Sequence, residues 1–96
     1  MSTMHQYRSV KGFASGRVQG VGFRYFVMRH AQAENLCGYV RNLNDGRVEF
    51  FLQGDANSVS RVLGQIQVGP NYAQVSELQL GDTEEFPGLN EFVMRR

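Results

Sequence analysis

Ninety-six residues are enough for one compact core and too few for two. The net charge of +1 excludes the large basic excess by which proteins bind nucleic acids or anionic membranes, so we expect neither partner. The single cysteine excludes an internal disulfide, and the cysteine and two histidines do not form the cluster that a zinc site needs. No apolar run is long enough for a membrane span or a signal peptide. These features predict a cytoplasmic protein, which we expect to be a monomer.

Apolar spacing divides the chain into strands and helices. Residues 1–6 are polar and predict a flexible tail, followed by a single domain over residues 7–96. Alternating apolar residues indicate strands, and apolar residues three and four positions apart indicate helices. The predicted elements, in chain order, are a strand at 7–14, a helix at 22–35, strands at 36–43 and 47–54, a helix beginning after Asp55, a strand at 73–80 and a short strand at 91–96.

Local signals mark several ends of these elements. The sequence NDG at residues 44–46 predicts a tight turn that makes the second and third strands a hairpin. Asp55 can cap the second helix, and a Gly-Pro pair ends it. The break in alternation between Val75 and Leu78 indicates a β-bulge in the fourth strand.

The order β-α-β-β-α-β points to one architecture. Two helices on one face of an antiparallel sheet bury the apolar sides of both layers, and this arrangement is typical of the ferredoxin-like α/β sandwich. We therefore predict an α+β fold of this kind, in which the last residues add a short extra C-terminal strand.

The segment SGRVQGVGFR at residues 15–24 places three glycines, Gly16, Gly20 and Gly22, between the first strand and the first helix. The first amides of a helix have no intrahelical partner and carry partial positive charge, and glycines allow such amides to converge on one anion. Neither the lysine of a P-loop nor the third glycine of a dinucleotide fingerprint is present at the required spacing. The segment therefore predicts an anion site or, in the simpler alternative, a tight turn.

Arg24 stands in the first turn of the predicted helix, where the helix dipole disfavours a cation. A guanidinium offers planar paired donors that match phosphate oxygens, and it keeps its charge at every working pH. An oxyanion held between the loop amides and Arg24 would explain this placement. The alternative is an arginine that extends into water.

Two longer segments together resemble the paired signature of the acylphosphatases: GRVQGVGFR at residues 16–24 and GYVRNLNDGRVE at 38–49. The similarity extends over nearly the whole chain. It implies a small ferredoxin-like enzyme that hydrolyses acyl phosphates to a carboxylate and inorganic phosphate, with no metal or other cofactor. It further implies that Arg24 and the backbone amides of the loop at residues 16–22 bind the phosphoryl group and that Asn42 orients the attacking water. The phosphate-binding residues that it implies are Gly16, Arg17, Val18, Gln19, Gly20, Val21, Gly22 and Arg24.

The chemistry of an acyl phosphate agrees with the rest of the sequence. Its leaving group is a weakly basic carboxylate, so no strong general acid is needed, and the sequence contains no convincing His/Asp, Ser/His or paired-carboxylate arrangement. Apart from the resemblance, Asn42 fits a turn residue before the hairpin. Arg17 and Arg41 fit surface arginines, or cations that raise the local potential.

Two other functions fit the same fold. A non-catalytic anion-binding or regulatory domain would retain the glycine loop, and RNA-binding modules also use ferredoxin-like topology. The sequence KGFA at residues 11–14 begins like an RNA-binding aromatic motif, but the further aromatic residues of that motif and a basic charge excess are missing. We interpret the 96-residue chain as an independent enzyme rather than as either alternative.

Overall fold

The computed structural model describes residues 6–96, in which five strands form one sheet and two helices pack on it. The predicted ferredoxin-like order β-α-β-β-α-β with a short extra strand is confirmed. The flexible tail predicted over residues 1–6 falls mainly on residues outside the described part of the chain, and it stays a prediction. The elements are β1 (Tyr7–Arg17), α1 (Phe23–Ala33), β2 (Cys37–Asn42), β3 (Val48–Asp55), α2 (Ala56–Val68), β4 (Gln74–Asp82) and β5 (Phe92–Met94).

The sheet has the strand order β4-β1-β3-β2-β5. β1 pairs with both β3 and β4, and β2 pairs with β3, all antiparallel as predicted. β5 lies parallel to β2, so the sheet as a whole is mixed. This direction follows from the path of the chain, because residues 83–91 cross from β4 to the opposite edge at one end of the sheet. β5 therefore runs antiparallel to β4 and parallel to β2.

The local signals for turns and caps are confirmed. The backbone N–H of Leu43 donates to the carbonyl of Arg47 at 2.8 Å and closes the turn at 44–46. The carboxylate of Asp55 accepts hydrogen bonds from two backbone amides at the start of α2. The register between β1 and β4 shifts after Ser15, opposite the break in alternation that indicated a bulge.

The core lies between the sheet and the two helices. Strand alternation and helix periodicity place apolar side chains on the inner faces of the two layers. These side chains pack together in the core, where they are shielded from water. Its members include Val10, Ala14, Phe23, Val27, Ala31, Val40, Val48, Phe50, Leu52, Val59, Val62 and Ile66.

The opposite face of the sheet contains a buried carboxylate. Glu49 is 2% exposed, and its two oxygens lie 2.6 Å from Nε of Arg41 and 3.1 Å from Nζ of Lys11. The hydroxyl of Tyr39 donates to the same carboxylate at 3.0 Å. Burial by itself would raise the pKa of Glu49, but the hydrogen bonds from Arg41, Lys11 and Tyr39 outweigh it, so the pKa lies below its ordinary value of 4.5.

The lowered pKa of Glu49 predicts a specific pH dependence of stability. A carboxyl group whose pKa is lower in the folded state contributes stability above its unfolded pKa, and this contribution is lost as the pH falls through the folded pKa. We expect the free energy of unfolding to fall more steeply between about pH 6 and about pH 3 in the wild type than in Glu49→Gln, since the variant lacks the titrating group. Urea unfolding followed by circular dichroism measures both curves.

The exposed Glu85, in the segment after β4, provides the control for this comparison. Glu85→Gln should follow the wild-type pH curve. Parallel curves for the wild type and Glu49→Gln would contradict the assignment of this stability to the buried carboxylate.

Candidate active site

The pairing of the central strands brings two distant segments to the same end of the sheet. Ala14 of β1 lies opposite Val48 of β3, and Val48 lies opposite Asn42 at the end of β2. The turn that follows β1 and the end of β2 are therefore neighbours. Both motifs that the sequence singles out converge at this end.

Residues 18–22 form the turn between β1 and α1. Gly20 and Gly22 have φ angles of 74° and 78°, in the left-handed region that residues with a side chain rarely adopt. A Cβ at either position would meet nothing within 4 Å, so glycine is required here by the backbone conformation rather than by space. No side chain among residues 6–96 caps the start of α1, which leaves its first amides open to an anion.

Gly16 and Arg17 lie outside this turn, in contrast to the predicted loop at residues 16–22. They are the last two residues of β1, which is longer than predicted. Gly16 has a φ of 116°, and a Cβ there would lie 2.2 Å from the carbonyl oxygen of Gln74 in β4. The close approach of β4 at the register shift therefore explains this glycine without reference to phosphate.

A pocket of about 210 Å³ lies between the turn, the start of α1 and the end of β2. Oδ1 of Asn42 is the one buried side-chain polar atom within residues 6–96 that has no hydrogen-bond partner. Leaving a buried acceptor unsatisfied costs about 1–3 kcal/mol, so this oxygen is suited to accept a hydrogen bond from a bound molecule. The lining comprises Val18, Gly20, Gly22, Phe23, Arg24, Tyr25, Asn42 and Met94.

Arg24 reaches this pocket from the first turn of α1. Its Nη1 donates to the carbonyl oxygen of Arg95 at 2.8 Å, which holds one side of the guanidinium and leaves its other donors available. Within residues 6–96 the group forms no ion pair. Arg24 and the amides at the start of α1 therefore place positive charge on the same small volume.

The side chain of Gln19 forms hydrogen bonds within the protein, and phosphate binding by its backbone amide stays a prediction. Its side-chain Nε2 donates to the carbonyl oxygens of Leu43 and Arg47, at 2.8 and 2.9 Å. These carbonyls flank the turn of the β2–β3 hairpin, next to Asn42. The Gln19 side chain thus links the glycine turn to the segment that carries Asn42. The sequence places Gln19 in the motif but does not predict this link.

The structure brings together only part of the predicted site. Arg24 and Asn42 line one pocket with Val18, Gly20 and Gly22, but the lining does not include Gly16, Arg17, Gln19 or Val21. Sequence reasoning missed Tyr25 and Met94, which also line the pocket. No local signal could have identified them, because an exposed tyrosine or methionine has no distinctive spacing.

Two further properties concern metals and membranes. Within residues 6–96, no three His, Cys, Asp or Glu side chains lie close enough together to hold a metal ion. Neither α1 nor α2 combines the length and the apolar character that a membrane-crossing helix needs.

A pocket with positive charge at a helix start, and with an asparagine beside it, lies at one end of a ferredoxin-like sheet. The family model for acylphosphatase matches residues 10–94. The acylphosphatase from Bacillus licheniformis is 42% identical over 89 residues, which cover 93% of this chain and 96% of that relative. The acylphosphatase from Chlorobaculum tepidum is 45% identical over 78 residues, which cover 81% of this chain and 85% of that relative. The crystal structure of acylphosphatase from Bacillus subtilis matches with a TM-score of 0.89 at 31% identity, covering 95% of this chain and all of that one.

The chain belongs to the acylphosphatase family. The resemblance that the two motifs carry is confirmed, and so is the predicted enzyme class. The residue roles that the resemblance implies for Arg24 and Asn42 stay predictions at this point.

The contacts of Gln19 predict that it positions the site. Gln19→Ala removes the donor from two carbonyls, so we expect a loss of about 1 kcal/mol in the free energy of unfolding. Because the glycine turn and Asn42 would no longer be held together, we expect kcat/KM for an acyl phosphate to fall about tenfold to a hundredfold. Urea unfolding and steady-state kinetics measure the two effects.

Gln79→Ala provides the matched control, because Gln79 is an exposed glutamine of β4, outside the pocket. It should retain wild-type kinetics. If Gln19→Ala lost stability while keeping full kcat/KM, the side chain would be structural only and its positioning role would be wrong.

Proposed function

We propose that the chain hydrolyses acyl phosphates by binding the phosphoryl group between Arg24 and the amides at the start of α1, while Asn42 orients the attacking water. The observation that carries this proposal is the buried Oδ1 of Asn42, which has no hydrogen-bond partner within residues 6–96 and shares its pocket with Arg24. One site thus combines positive charge for an anion with an acceptor for a water proton.

Phosphoryl binding rests on two sources of positive charge. The guanidinium of Arg24 can donate to two phosphoryl oxygens at once, and the first amides of α1 add donors at the positive end of the helix dipole. These donors neutralise the charge that the phosphoryl oxygens carry in the transition state, and their fixed geometry avoids reorganisation during the reaction. The hydrogen bond to the carbonyl of Arg95 keeps the guanidinium in place.

Water activation rests on position rather than on a strong base. Oδ1 of Asn42 accepts a hydrogen bond from the water. This hydrogen bond turns a lone pair of the water oxygen towards phosphorus. The new bond forms between the water oxygen and phosphorus while the bond from phosphorus to the acyl oxygen breaks. The acyl group leaves as a carboxylate. One proton of the water passes to a phosphoryl oxygen, and the other stays on the oxygen that attacked. The products are a carboxylate and inorganic phosphate.

The leaving group explains why the site contains so little acid–base machinery. A carboxylate is weakly basic, so its departure requires no protonation by the enzyme. Electrostatic stabilisation and alignment are then sufficient, and we propose that the reaction needs neither metal nor cofactor. We further propose that the enzyme acts as a cytoplasmic monomer without nucleic-acid or membrane partners. Its net charge of +1 supports the absence of those two partners, because both require a basic excess.

Substitutions of the two central residues test these roles separately with benzoyl phosphate as substrate. Arg24→Ala should weaken competitive inhibition by inorganic phosphate and lower kcat/KM about 10²- to 10³-fold, because the phosphoryl oxygens lose their cation. Asn42→Ala should keep phosphate inhibition near the wild-type value and lower kcat about a hundredfold, because only the water is misplaced. A chelator should leave all rates unchanged.

Arg29→Ala is the matched control, because Arg29 is an exposed arginine of the same helix outside the pocket. It should behave as the wild type. Unchanged phosphate inhibition in Arg24→Ala would contradict the anion site, and full turnover in Asn42→Ala would contradict the role of that amide. Loss of activity with chelator would contradict the metal-free reaction.

A further inference from the structure

A second cavity, of about 820 Å³, lies on the face of the sheet opposite the helices. Residues 83–91, which form neither helix nor strand, cross this face and form one side of the cavity. Its volume lies in the range of cavities that hold small molecules. It shares no lining residue with the pocket that contains Arg24 and Asn42. The second cavity therefore has room for a ligand of its own.

The crossing segment, residues 83–91, is held to the sheet at three places. At its ends, the backbone amide of Thr83 donates to β1 at 2.9 Å and the carbonyl of Glu91 accepts from β2 at 3.0 Å. In the middle, Oε1 of Gln53 accepts from the backbone amide of Phe86 at 2.7 Å, and Nε2 of Gln53 donates to the carbonyl of Phe86 at 2.9 Å. These bonds fix the shape of the cavity before a ligand binds, which lowers the conformational entropy lost on binding.

Three aromatic side chains form the apolar part of the second cavity. The rings of Tyr39 and Phe51 stack with their centroids 6.0 Å apart, and the ring of Phe86 meets that of Phe51 edge-on at 5.5 Å. Phe86 is nevertheless 60% exposed, although the buried Gln53 holds its backbone in place. An exposed ring in a fixed position favours a ligand that covers it, because apolar surface on both molecules is then removed from water.

Charged groups of opposite sign surround these rings. Glu84 and Glu91 belong to the crossing segment, whereas Arg95 follows β5 and its guanidinium lies 4.5 Å from the ring centroid of Tyr39. Neither the two carboxylates nor this guanidinium forms an ion pair with another side chain among residues 6–96. The fourth charged side chain of the lining, Lys11, is already paired with a buried carboxylate at 3.1 Å. The cavity thus offers both a cation and carboxylates to a ligand.

The extended backbone at β5 sets the spacing between these charges. Glu91, Val93 and Arg95 all line the second cavity, whereas Phe92 and Met94 between them do not, as strand alternation requires. Four residues of extended chain span about 13 Å. Glu91 and Arg95 therefore flank a stretch long enough for one aromatic ring with a charged group at each end.

We propose that the second cavity binds an aromatic molecule that carries a carboxylate at one end and an ammonium group at the other. The carboxylate pairs with Arg95, and the ring covers Phe86 and Tyr39. The ammonium group lies at the carboxylates of Glu84 and Glu91. Each charge of the ligand then has a partner, which offsets the cost of removing it from water. This binding involves no reaction and does not depend on the proposed function.

Titration of the ¹⁵N-labelled protein at pH 7 with 4-(aminomethyl)benzoate, followed by NMR, tests the site. Two matched molecules each lack one charge: 4-methylbenzoate and 4-methylbenzylamine. Inorganic phosphate is present throughout to compete for the pocket at Arg24. We expect the largest shift changes at backbone amides between residues 83 and 95. The Kd for 4-(aminomethyl)benzoate should be about fivefold lower than for either matched molecule, because each of these leaves one ion pair unformed.

Substitutions in the second cavity should separate the contributions of charge and ring. Arg95→Gln should weaken binding of 4-(aminomethyl)benzoate to the level of 4-methylbenzylamine, because the carboxylate loses its cation. Phe86→Ala should weaken binding of all three molecules about tenfold, because the ring contact is lost.

Arg96→Gln and Tyr72→Ala are the matched controls, because both residues are exposed and neither lines the second cavity. Both variants should bind as the wild type does. The proposal would be overturned by shift changes at residues 20–24 with none between 83 and 95, or by equal or tighter binding of a singly charged molecule. Unchanged affinity in both Arg95→Gln and Phe86→Ala would overturn it as well.

Discussion

The hydrogen-bonded pairing of β1, β3 and β2 is the constraint that brings the two segments of the proposed active site together. Because Ala14, Val48 and Asn42 occupy one row across these strands, the turn after β1 and the end of β2 meet at one end of the sheet. Gln19 then closes the remaining gap through two hydrogen bonds to the hairpin. A shift of one residue in this register would turn the side chain of Asn42 to the other face of the sheet.

The electrostatics of the site favour an anionic guest. The start of α1 and the guanidinium of Arg24 carry charge of the same sign, so their proximity is unfavourable until an anion binds between them. The carbonyl of Arg95 holds Arg24 in this position through one hydrogen bond. We propose that the phosphoryl group binds where these two sources of positive charge meet in the pocket.

The sequence predicts most of the fold, because alternation and helical periodicity are local properties. The strand predicted at 47–54 and the turn at 44–46 lie where these patterns place them, and the two motifs identify the family. What it cannot predict depends on contacts between distant segments. The sequence places Gly16 in the glycine loop, whereas in the structure it lies in β1 and the backbone of β4 approaches it closely. Likewise, the parallel direction of β5, and with it the place of Met94, depends on the path of residues 83–91.

Titration of the ¹⁵N-labelled protein with inorganic phosphate, followed by NMR, tests most directly whether the anion binds where the helix start and Arg24 meet. We predict that the largest chemical-shift changes occur at the backbone amides of residues 20–24 and at the side-chain amide of Asn42. A second cavity, of about 820 Å³, lies on the opposite face of the sheet and includes Lys11 and Tyr39 in its lining. Shift changes confined to that cavity, with residues 20–24 unaffected, would contradict the account.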